Sequence, residues 1–164
     1  MSDFNVDTWH DFFVAQAGAG AALAGLVFVA ISINLQRVLT TRSVQGRAIE
    51  ALTLLVSLLI VGLLALIPEQ GETALGIETI VFGATLAGIM AYLGVGPDNA
   101  GGATRGQHLL RLTLGQIASL PLVAAGVSML VDADGALYWL AGAAIAAIVA
   151  GMIGAWVLLV EILR

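Results

Sequence analysis

Five runs pass with almost no charge in them: approximately Phe12 to Leu35, Ala48 to Ile67, Ala74 to Val95, His108 to Val131 and Ala136 to Leu163. A helix that crosses a bilayer needs about 20 predominantly apolar residues, whereas a helix in a soluble core is usually shorter and keeps a charged face. The chain is therefore predicted to be all-α, a polytopic membrane helix bundle of five transmembrane helices. It would form a single integral membrane domain over residues 1–164. Composition points the same way, with 60% hydrophobic and 10% charged residues against roughly a quarter charged in soluble domains. The spans consume most of the chain, so little is left for a separate activity outside the bilayer.

Threading the five runs through a membrane sorts the charges. The six basic residues, all arginine (Arg37, Arg42, Arg47, Arg105, Arg111 and Arg164), fall on one side with Glu50, Asp98 and Glu161. The other side receives Asp3, Asp7, Asp11, Glu69, Glu72, Glu78, Asp132 and Asp134 and no base. Cytoplasmic loops retain Lys and Arg, which predicts the N-terminus out and the C-terminus in. The flank before the first run is acidic rather than basic, so that run is expected to stay as a helix instead of acting as a cleaved leader. Pro68, Gly96 with Pro97, and Asp132, Asp134 with Gly135 mark the turns. Trp9, Phe12, Phe13, Tyr138 and Trp139 suit an aromatic belt at the outer interface. Asp3, Asp7 and Asp11 recur every four residues, which on a helical tail would make one acidic stripe able to concentrate cations.

The first span is a nearly continuous run of small residues from Ala15 to Gly25. Small residues let membrane helices approach closely, and Gly18 with Ala22 and Ala21 with Gly25 are small-xxx-small pairs, so these four are read as helix-packing positions. Either the chain's own helices or further copies could fill that face. Gln16 and Asn34 lie five whole turns apart and share a face with Gly20, Leu23 and Val27. Several copies meeting there would form a conduit with amide rings at the mouths and an aliphatic constriction between them. The competing reading leaves both amides at the interfaces, bonded to headgroups or neighbouring helices.

The fourth span contains Gln116, Ser119 and Pro121. Proline cannot donate to the carbonyl four residues back, so a kink is expected there. At the inner end, Arg111 is placed to pair with Glu50 and Glu161 in an ion cluster that fixes helix packing. Cysteine is absent, which removes thiolate chemistry and Cys-based metal sites. No HExxH, GxSxG or phosphate-binding loop occurs, and His10 and His108 are predicted on opposite sides of the membrane. No catalytic residue, metal or cofactor is therefore expected, and no nucleic acid partner.

The segments WHDFF (Trp9 to Phe13), AALAGLVFVAISINL (Ala21 to Leu35), Glu50-Ala51-Leu52, Tyr138-Trp139 and AWVLLVE (Ala155 to Glu161) together resemble a group of uncharacterised small bacterial polytopic membrane proteins. The resemblance implies a multi-pass protein of the bacterial cytoplasmic (inner) membrane and brings no activity. AGLVFVAISINLQ (Ala24 to Gln36) resembles the pore-lining first helix of Orai channels over that one helix. Orai proteins have four spans and a cytosolic N-terminus, so no selectivity residue carries over. These readings predict a homo-oligomer in the lipid bilayer, a passive pore for cations lined by the first helix. The alternative is a non-enzymatic regulatory or scaffolding subunit of a larger membrane complex.

Overall fold

The computed structural model describes residues 6–40, 42–95 and 105–163. A single 3-10 turn, Val6–Trp9, leads into α1 (His10–Ile33). The others are α2 (Leu35–Thr40), α3 (Arg42–Ala65), α4 (Glu72–Val95), α5 (Arg105–Leu130) and α6 (Ala136–Leu163). Among the described residues there is no strand. All but α2 are long and apolar enough to cross a membrane, so the fold is a polytopic helix bundle with five candidate spans.

Each helix packs against its neighbour in the order α1, α3, α6, α5, α4, with α3 touching α4 only lightly. Going along α3 from Ala51 to Leu55 means going back along α6 from Gly154 to Gly151, so this pair is antiparallel, as hairpin partners are. Antiparallel packing sets opposite helix-dipole ends side by side. It also collects Arg47, Glu50 and Arg111 at one end of the bundle and Trp9, Glu72 and Asp132 at the other.

Lipid gives no hydrophobic reward for bringing helices together, so close backbone approach has to supply the packing. The α4–α5 seam does this with Gly76, Gly83 and Gly126: a Cβ on Gly83 would sit 2.9 Å from Leu122 Cβ, and one on Gly126 2.5 Å from the Gly76 carbonyl oxygen. Hydroxyls inside the helices bond back to carbonyls of their own preceding turn, as Thr79 does to Leu75 (2.6 Å) and Ser119 to Gly115 (2.8 Å). A membrane helix can bury such groups because their one donor hydrogen is spent on a carbonyl and not left facing hydrocarbon.

One local expectation is corrected. The connection expected over Gln36 to Arg47 is mostly helical, because α1 only pauses at Asn34 (φ −109°, ψ 22°). There the Asn34 N–H bonds to Ile31 O at 3.1 Å and its side-chain Nδ2 donates to Ala30 O at 2.9 Å. Its two amide groups thus turn back onto the preceding turn, and the chain resumes as α2. At the other end Asp7 lies in the 3-10 turn and Asp11 in α1, and the Asp7 side chain, and with it the expected acidic stripe, lies outside the described residues. Asp3 lies outside the described residues. α5 runs through Pro121 as one continuous helix.

Candidate functional site

The face of α1 that sequence assigned to a conduit is turned into the chain. Gln16, Gly20 and Val27 are buried, Leu23 and Asn34 half-buried. Gln16 Nε2 donates to the Leu58 carbonyl of α3 at 3.1 Å. A Cβ on Gly20 would lie 2.7 Å from the Leu59 backbone nitrogen, and across the interface one on Gly62 would lie 3.0 Å from Ala17 Cβ. The two glycines bring α1 and α3 into backbone contact. A lining that included Gln16 and Gly20 would require α1 to leave α3; Val27 and Leu23 join the core of the chain, and Asn34 Nδ2 bonds to Ala30 O of its own helix.

Gly18, Ala21, Ala22 and Gly25 have the opposite placement. All four are exposed, and nothing lies within 4 Å of a Cβ built on Gly18 or Gly25. Leu26, Phe28, Val29 and Ile33 extend this exposed surface toward the helix end. Only 22% of the most apolar window of α1 is buried, the lowest share among the five spans, against 50% for α3. The positions read as helix-packing therefore have no packing partner among the described residues.

At the acidic end, α1 is pinned by aromatic rings. Trp9 meets Tyr138 edge to face at a centroid distance of 4.9 Å and Phe12 at 5.6 Å, and Phe13 is fully buried beneath them. Such pairs contribute about 0.5–1.5 kcal/mol beyond their burial. This clamp joins the start of α1 to the start of α6. The α5–α6 turn beside it is a Schellman stop: Asp132 takes a left-handed φ of 50°, and the Ala133 N–H reaches Ser128 O at 2.9 Å. Among the described residues no cluster of three or more metal-ligating side chains occurs.

At the arginine end, Arg111 and Glu50 form a bidentate pair, Nε to Oε2 at 3.1 Å and Nη2 to Oε1 at 2.7 Å. Their side chains are only 11% and 17% exposed. The pair ties α5 to α3, two helices separated in the row by α6, across a cavity of about 80 Å³ that Arg47, Met90 and Gly154 also line. Glu161 belongs to the last turn of α6, but its side chain lies outside the described residues.

On α5, Gln116 Nε2 donates to the Ala87 carbonyl of α4 at 3.1 Å, and Ser119 is fully buried. Gln116 therefore holds the α4–α5 seam, and with Ile117, Pro121 and Trp139 it lines an apolar groove of about 430 Å³. The glycine seam itself was readable in the spacing Gly76, Thr79, Gly83 but was overlooked beside the denser small-residue run of α1. Comparison with protein-family models, curated proteins and solved structures gives no match.

Proposed function

We propose that this chain is a non-enzymatic multi-pass subunit of the bacterial cytoplasmic membrane, N-terminus out and C-terminus in, that works by lateral association of α1 with a further copy of itself. The contrast between the two faces of α1 carries the reading. One face is filled by α3 down to backbone contact at Gly20, while Gly18, Ala21, Ala22 and Gly25 offer the same close approach to a helix that the described residues do not supply. Small residues on a membrane helix favour association because they let a partner backbone come near. The orientation rests on the arginines gathering at one end. A passive pore lined by Gln16 and Val27 finds no support in this geometry, and conduction would need a different lining.

The mass of the assembly in lipid nanodiscs tests the proposal. The native protein is expected as an oligomer, and Gly18→Leu with Gly25→Leu is expected to give a monomer with an unchanged melting temperature. A native protein that stays monomeric at high protein-to-lipid ratio overturns self-association and moves the same face to a different membrane partner. Ion flux from liposomes holding the native oligomer would restore the conduit.

A further inference from the structure

We infer that the small cavity where α1, α3, α5 and α6 meet is a binding site for one structural water molecule, held by Gln16 and Ser57. The cavity measures about 10 Å³ and is walled by Gln16, Ser57, Leu58, Ala118, Ala143 and Ala147 among others. A void of roughly 10–15 Å³ accommodates one water, and occupancy requires at least two polar partners. Both are present.

Gln16 is 5% exposed, and its Oε1 is buried with no protein partner, although Nε2 of the same amide donates to Leu58 O. Rotating the amide by half a turn would set Oε1 against the Leu58 carbonyl, acceptor against acceptor, so the orientation is fixed by that bond. An amide oxygen sealed in an apolar interior without a donor costs about 1–3 kcal/mol, and bundle cores normally satisfy such groups with protein or ordered water. Ser57 is 4% exposed and spends its own hydrogen on Leu54 O at 2.6 Å. Its oxygen lone pairs remain able to accept. A water therefore donates one hydrogen to Gln16 Oε1 and the other to Ser57 Oγ, joining α1 to α3 a second time beside the direct Gln16–Leu58 bond. Two neutral acceptors without a carboxylate suit this small donor rather than a metal cation, which demands more oxygens. The site stands whether or not α1 meets a further copy.

A structure of the native protein in nanodiscs, at a resolution where buried waters are visible, tests it directly. A density peak within hydrogen-bonding distance of Gln16 Oε1 and Ser57 Oγ is expected; other buried waters appearing without this one overturns the inference. A thermal double-mutant cycle gives a second reading. Gln16→Met and Ser57→Ala should each lower the melting temperature, and the double variant should fall by less than the sum of the two, since both remove the same water in addition to their own direct bonds. Additive shifts overturn the site.

Discussion

Glu50 and Arg111 are each expensive near hydrocarbon and are placed so that each removes the other's cost. Removing one partner of a mostly buried pair strands the remaining charge, a loss of about 3–5 kcal/mol, whereas replacing both with apolar residues is often neutral. Arg111→Met alone should therefore lower the melting temperature sharply in detergent, and Glu50→Leu with Arg111→Met should recover most of the loss. Gly18 and Gly20 sit two residues apart in sequence and in opposite surroundings. Gly20→Ala drives a methyl into the α3 backbone and should cost about 1–3 kcal/mol, while Gly18→Ala meets open space and should change stability by no more than about 0.5 kcal/mol. Chemical denaturation of the two variants checks the difference. The Glu50–Arg111 pairing was legible because charge near a span end must find a partner. The direction of Gln16 was not, since an amide at that depth can bond a headgroup, a second copy or a neighbouring carbonyl, and only the α3 backbone beside it decides.

At the scale of the element, the five long helices were legible and their faces were not. Length and lack of charge define a span without reference to neighbours, so the five long helices follow from the apolar runs. Choosing the inward face needs a difference between faces, and α1 has almost none: Gly18 and Gly20, or Ala17 and Ala21, are chemically alike, yet one of each pair is buried and the other exposed. The structure separates them through the matching surface of α3. α2 escaped the sequence because polarity marks where a span ends and not where helical backbone ends. The α4–α5 pair gives the clearest element-level prediction. Gly83→Val would press into Leu122 and Val123 and should pry the seam apart, costing about 1–3 kcal/mol. Cross-linking between cysteines introduced at exposed positions of α4 and α5 should fall in parallel.

For the whole molecule, an odd number of spans sets the two termini on opposite sides. Reporter fusions at Met1 and Arg164 are expected to be active in different compartments; activity in the same one would dismiss the proposed threading. The order of neighbours could not be read from the sequence, because short connections dictate only that hairpin partners lie side by side. Interfaces between hairpins depend on matched surfaces such as Leu55 against Gly151, which no single segment announces. That order also has a consequence for biogenesis. The segment that follows both hairpins in the chain is the keystone, since α6 stands between the α1–α3 hairpin and the α4–α5 hairpin. A translation product halted in the turn before Ala136 should be two loosely joined hairpins, readily degraded by quality-control proteases, and supplying residues 136–163 as a separate polypeptide should rescue them.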